Sequence, residues 1–128
     1  MIICDTDIMV DILRGQPEAL DWLASVRDET IALPGIVTME LIQGCRTRSE
    51  QQRLQKALKG YILLWPSHTA CNLALKHFTT GCLSHGIGIL DAIIAEIAVE
   101  AGFPLCTFNQ KHYLPHPHLQ TVQPYVRS

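Results

Sequence analysis

The sequence predicts an α/β fold, a three-layer sandwich with a mainly parallel central sheet and helices on both faces. Short apolar runs alternate with amphipathic segments along the whole chain, which is the pattern of strands joined by helical crossovers. The first run, Met1-Ile2-Ile3-Cys4, contains no turn residue and reads as a strand buried on both faces, as in parallel sheets. It ends abruptly in Asp5-Thr6-Asp7, and open α/β sheets bind ligands outside the carboxyl ends of their strands.

The later elements follow in order. Ile8, Met9, Ile12 and Leu13 share one helical face up to the stop at Gly15, and a second helix begins with Pro17 in its first turn, with Ala19, Leu20, Leu23 and Val26 inward. Residues 30–33 read as the second strand, halted by Pro34-Gly35. The helix expected over 36–43 carries Glu40 on the side of Ile36, Val37 and Leu41, and a buried lone carboxylate needs a partner, a cation or a proton.

Over residues 46–59 the character changes. Arg46, Arg48, Arg53, Lys56 and Lys59 are half of the chain's ten Lys and Arg residues, opposed there only by Glu50, and Leu54 and Leu58 form a thin apolar stripe. Such a basic amphipathic helix is either a solvated outer face or an arm that contacts phosphates. A third strand at 61–65 ends at Pro66, and Ser67 suits the N-cap of a long helix running towards Ser84, with His77 and His85 on its surface or at its end.

Gly86-Ile87-Gly88 breaks that helix, and Asp91 is expected to open the next, over 91–101. There Ile94, Ile97, Ala98 and Ala101 face inward while Glu96 and Glu100 point away together. Gly102 ends it, 104–108 reads as another parallel strand with Asn109 at its carboxyl end, and a last short strand is expected near 119–122. His112, His116 and His118 match no closed tetrahedral zinc spacing and read as a surface turn.

With 128 residues and 48% hydrophobic composition, the chain fits a single domain, 1–128, with a real core. A formal net charge of −2 gives no overall attraction to polyanions, so any nucleic acid must be held by a local basic patch or a bound cation. The apolar runs are too short to span a bilayer and the amino terminus carries acid where a secretory signal carries base, so the expectation is a cytoplasmic protein without membrane contact. Five scattered cysteines without a C-x-x-C pair fit buried free thiols.

In that architecture Asp5 and Asn109 end neighbouring strands, while Glu40 and Asp91 come from helices that follow other strands, so several carboxylates can converge. The ordered set Ile3-Cys4-Asp5-Thr6-Asp7, Leu13-Arg14-Gly15, Val37-Thr38-Met39-Glu40-Leu41 with Gly44, Leu90-Asp91-Ala92-Ile93-Ile94-Ala95 and Thr107-Phe108-Asn109 resembles the PIN-domain ribonucleases. Within them it is most similar to the VapC-type toxins of prokaryotic toxin–antitoxin pairs, over essentially the whole chain. The resemblance implies a PIN-like sandwich whose catalytic and metal-binding acids are Asp5, Glu40 and Asp91. Thr6 is implied as the hydroxyl that supports Asp5, with Thr107 and Asn109 beside it.

Many relatives have an acid where this chain has Asn109, or near His112; Asp7 is the candidate to supply that charge. The resemblance further implies a Mg²⁺- or Mn²⁺-dependent endoribonuclease, products with 5′-phosphate and 3′-hydroxyl ends, a small VapB-like cognate antitoxin and a homodimer. Crowded carboxylates repel one another, and a hard dication that prefers oxygen ligands relieves that repulsion. Arg46, Arg48, Arg53, Lys56 and Lys59 are then the expected RNA-binding side chains.

Two other readings fit part of the sequence. Asp5-Thr6-Asp7 after an apolar strand also fits the nucleophile and acid of a haloacid-dehalogenase-like phosphatase, although Glu40 then has no role. Alternatively the chain is a catalytically degenerate binding module whose acids are caps and surface charge.

Overall fold

A computed structural model describes residues 1–127. Its centre is a five-stranded sheet, every neighbouring pair parallel, in the order β3-β2-β1-β4-β5. The strands are β1 (Ile2–Cys4), β2 (Ile31–Pro34), β3 (Ile62–Leu64), β4 (Leu105–Cys106) and β5 (Thr121–Val122). The helices are α1 (Thr6–Leu13), α2 (Pro17–Ser25), α3 (Gly35–Gln43), α4 (Arg48–Ala57), α5 (His68–His85), α6 (Ile89–Ala101) and α7 (Gln110–Tyr113).

The chain builds outward from β1 to β2 and β3, then crosses back to add β4 and β5 on the other side of β1. Right-handed crossovers therefore put α1 to α4 over one face and α5 and α6 over the other. The reversal opens a crevice between the carboxyl ends of β1 and β4, paired in register at Ile3 with Leu105 and Cys4 with Cys106. Asp5 and Thr107, the residues next after those strands, stand at that crevice.

The strands are short and apolar because both their faces are covered: Ile3, Cys4, Ala32, Leu33 and Leu105 have no exposed surface. From the helices, Ile8, Met9, Val37, Ile94 and Ala98 fill the same core. Gly35 opens α3 where the Trp65 ring lies against it, and a Cβ there would sit 2.4 Å from ring atoms. Only glycine admits the indole and so lets α3 start directly at the end of β2.

Several expectations need correction. The basic helix is shorter than 46–59: Thr47 caps it by accepting from the Glu50 N–H at 3.1 Å, leaving Arg46 before it and Lys59 beyond. The helix expected from Asp91 starts two residues earlier, with Gly88 at the cap, so Asp91 lies within the first turn. Glu96 and Glu100 do not point away together. α5 crosses that side of α6, so Glu96 is only 2% exposed beneath it, while Glu100, one turn on, reaches the start of α5 and accepts from the Ser67 N–H and hydroxyl.

His77 accordingly meets Glu96 instead of solvent, and the segment after α7 is no plain surface turn, because His116 is buried against the same carboxylate. The cysteines are free, but only Cys4 and Cys106 are buried, and Cys71 is exposed.

On α2, Trp22, Leu23 and Val26 pack against the core. Trp22 packs at 6.0 Å from the Tyr125 ring, and Tyr125 and Arg127 both bond to Asp11, drawing the C-terminal tail across α1 and α2. Leu20 remains exposed there, whereas a larger exposed apolar set lies on α5 and the start of α6: Leu75, Leu83, Ile89 and Leu90. Among the described residues, no helix is long and apolar enough to cross a membrane.

Candidate active site

Asp5 is the anchor of the site. It is 5% exposed, follows β1 directly, and its N–H still pairs with the Cys106 carbonyl at 3.0 Å, so the sheet fixes its backbone. Its Oδ1 accepts the Thr6 N–H at 2.7 Å as the N-cap of α1. Its Oδ2 accepts two hydroxyls, Thr107 Oγ1 and Tyr113 Oη, both at 2.9 Å. Oδ2 is thus saturated, and the remaining lone pair on Oδ1 is the one free for an incoming cation.

Asp91 arrives from the opposite face of the sheet. The Tyr113 hydroxyl that donates to Asp5 lies 3.3 Å from Asp91 Oδ1, and His112 Nδ1 lies 3.8 Å from Oδ2. One phenol therefore touches both carboxylates. Burial and then the charge of Asp5 push the Asp91 pKa up, while His112 and the Tyr113 hydroxyl oppose the shift. Burial and the neighbouring Asp5 and Asp91 carboxylates push the Tyr113 phenol well above its ordinary range, so it remains a donor.

Glu40 comes from α3 and is half-buried, and its Oε1 accepts the Thr6 hydroxyl at 3.1 Å. The Thr6 hydroxyl thus serves Glu40, and only the Thr6 backbone serves Asp5; the hydroxyls on Asp5 belong to Thr107 and Tyr113. Burial raises the Glu40 pKa first, and the charges of Asp5 and Asp91 raise it further against the Thr6 hydrogen bond. Three acids from three different segments thus share one electrostatic neighbourhood.

Asp7 takes a different part. Its Oδ1 accepts the Ile8 N–H at 2.8 Å and its Oδ2 the Phe108 N–H at 2.8 Å, with the Thr107 hydroxyl at 3.4 Å. Burial, followed by the Asp5 charge, raises its pKa. This carboxylate ties the end of β4 to α1 and so sets Thr107 against Asp5. Asn109 is exposed, and its N–H donates to the Thr107 hydroxyl at 3.0 Å.

Tyr113 is the residue that sequence reasoning missed. Removing its hydroxyl with Tyr113→Phe deprives a buried carboxylate of a donor, so stability in EDTA should fall by roughly 1.5–3 kcal/mol, read by urea denaturation. An unchanged midpoint and slope would remove Tyr113 from the support of Asp5.

The basic segment borders these acids. Arg53 of α4 and Glu40 line a cleft of about 700 Å³ between α1, α3 and α4, together with Thr6, Arg14 and Glu50. Arg46, Arg48, Arg53, Lys56 and Lys59 are all exposed, and no salt bridge among the described residues engages them.

A family model described as PIN domain matches residues 2–114. Ribonuclease VapC10 of Mycobacterium tuberculosis is 32% identical over 115 residues, covering 88% of this chain and 86% of that protein. Ribonuclease VapC19 of the same organism is 32% identical over 123 residues, covering 94% and 98% respectively. Among solved structures, a chain of a toxin-antitoxin complex from Klebsiella pneumoniae matches with a TM-score of 0.76 and 24% identity over 98% of both chains, a likeness of fold.

Proposed function

This chain belongs to the PIN-domain family, and on that premise we propose that it is a Mg²⁺- or Mn²⁺-dependent endoribonuclease, the toxin of a toxin–antitoxin pair, folded as a single domain. The observation that carries this reading is the meeting of Asp5, Glu40 and Asp91 near the crevice between β1 and β4: the Tyr113 hydroxyl touches both Asp5 and Asp91, while Thr6 gives its N–H to Asp5 and its hydroxyl to Glu40. An all-oxygen set in which the charge of Asp5 raises the pKa of both Glu40 and Asp91 suits a hard dication such as Mg²⁺ or Mn²⁺ better than a softer, nitrogen- or sulfur-seeking ion. Asp5, Glu40 and Asp91 would hold such an ion, which would supply an activated water and charge stabilisation for the phosphoryl and leaving oxygens.

The protein's own contribution is positional. Thr107, Tyr113 and the Thr6 N–H hold the Asp5 carboxylate in one orientation, Thr6 fixes Glu40, and the first turn of α6 holds Asp91. The phosphatase reading is not favoured, because both Asp7 oxygens are engaged by N–H groups of the fold and Glu40 would stand at the site without a task.

Expression alone should arrest growth, and sequencing of cellular RNA ends should reveal new 5′-phosphate termini that EDTA prevents in vitro. RNA cleavage that persists in EDTA, or none with either metal, would contradict the proposal. In this reading a VapB-like antitoxin relieves the arrest in the cytoplasm by presenting an arginine to the carboxylates, whose geometry a guanidinium matches. The toxin itself forms a homodimer, for which the exposed Leu75, Leu83, Ile89 and Leu90 offer apolar surface.

The unpaired basic side chains grip the RNA backbone. Changing Arg53 and Lys56 together to Ala should weaken RNA binding and lower the slope of log affinity against log salt by about 1–2, leaving the cleavage site unchanged. A slope equal to wild type would return α4 to a solvated outer face.

A further inference from the structure

Away from the acidic crevice, three segments far apart in sequence bring His77, Glu96 and His116 together. Glu96 is 2% exposed and His116 8%, and His77 is half-buried. His77 Nδ1 and His116 Nε2 both lie 2.7 Å from the same oxygen, Glu96 Oε1, and the two rings meet edge to face at 4.7 Å. No Lys or Arg pairs with this carboxylate among the described residues. Two imidazoles are its only ionic partners among the described residues, and a buried carboxylate calls for a cation or a proton beside it.

We propose that His77, Glu96 and His116 form a second metal site, distinct from the acidic crevice, that takes a borderline transition dication of the Zn²⁺ class. Two imidazole nitrogens and one carboxylate oxygen are a donor set that such ions favour, whereas Mg²⁺ favours oxygen alone. The ligand atoms all lie within 4.8 Å of one another. Zinc–ligand lengths of about 2.0–2.2 Å in a tetrahedron set ligands about 3.3 Å apart, so loading opens each N···O contact by roughly 0.6 Å.

A cleft of about 210 Å³ lined by His77, Thr80, His85 and His116 gives a water or the His85 imidazole room for the fourth position. His116 follows Tyr113 by three residues, so the ion would fasten the segment carrying the phenol of the acidic site onto α5 and α6.

Loading has a definite proton consequence. Against a carboxylate, which only accepts, each neutral imidazole presents an N–H; a metal would take the lone pair of that same nitrogen, so the proton would move to His77 Nε2 and to His116 Nδ1. The His118 N–H, which contacts His116 Nδ1 at 3.3 Å, loses that acceptor. Both tautomers therefore reverse, and a merely hydrogen-bonded triad would not do this.

The full chain, stripped with chelator and held in excess Mg²⁺, is titrated with Co²⁺ and then Zn²⁺. Expected are one equivalent of Co²⁺ with the visible bands of tetrahedral coordination, displacement by Zn²⁺, and reversal of both tautomers in histidine ¹⁵N spectra. Glu96→Gln and, should that variant misfold, the more exposed His77→Gln should weaken Co²⁺ binding more than about 100-fold. Asp91→Asn should retain it. Absence of Co²⁺ binding, unaltered tautomers on Zn²⁺ addition, or binding lost in Asp91→Asn but kept in well-folded His77→Gln would overturn the assignment.

Discussion

Asp91→Asn is expected to abolish Mg²⁺-dependent RNA cleavage while leaving the fold intact. Asp91 is half-buried and held in the first turn of α6, so the isosteric amide keeps the packing and removes one charge from the set proposed to hold the cation. A metal supplies several kcal/mol of charge stabilisation in phosphoryl chemistry, so losing a ligand should cost at least about a thousandfold in rate. The measurement is single-turnover cleavage of an RNA that the wild type cuts, with circular dichroism to verify folding. Near-wild-type cleavage by a folded Asp91→Asn protein would remove it from the catalytic set.

What the sequence disclosed, and what it hid, follows from the range of the interactions. Met1 to Asp7 was legible because a short apolar run ending in acid has few other structural meanings, and β1 indeed delivers Asp5 to the crevice. Asn109 was expected beside Asp5 from strand order alone, and β4 does neighbour β1, yet Thr107, two residues earlier, turns its hydroxyl to the carboxylate. Helical periodicity failed at Glu96. An i, i+4 pair of glutamates reads as a solvated stripe, and only the packing of α5 across α6 reveals that one of the two is buried. Tyr113 was invisible for the opposite reason: a buried aromatic reads as core, and its single polar atom acquires meaning only when Asp5 and Asp91 arrive from distant segments.

Mg²⁺ should raise the melting temperature of the wild type strongly at neutral pH and hardly at all near pH 4, and Asp5→Asn should lose most of that rise. The sign follows from the carboxylates. Burial first, and then the charges of neighbouring acids, raise the folded-state pKa values of Glu40 and Asp91 above their ordinary range. In metal-free protein these groups contribute stability that is complete below an ordinary carboxylate pKa of about 4 and is lost as pH rises through the raised folded values. Metal binding reverses the dependence, because the ion requires the ionised forms and compensates their repulsion. At a hundredfold excess over Kd the ion contributes about 2.7 kcal/mol, roughly 10 °C in a chain of this size. Asp5 stands at the centre of the set, and its charge contributes to the raised pKa of both Glu40 and Asp91, so Asp5→Asn should shrink the Mg²⁺ response to a degree or two. Thermal melts of both proteins at the two pH values, with Mg²⁺ and with EDTA, decide it. A Mg²⁺ shift of equal size in wild type and Asp5→Asn, or one that does not change between pH 4 and 7, would separate Asp5 from cation binding.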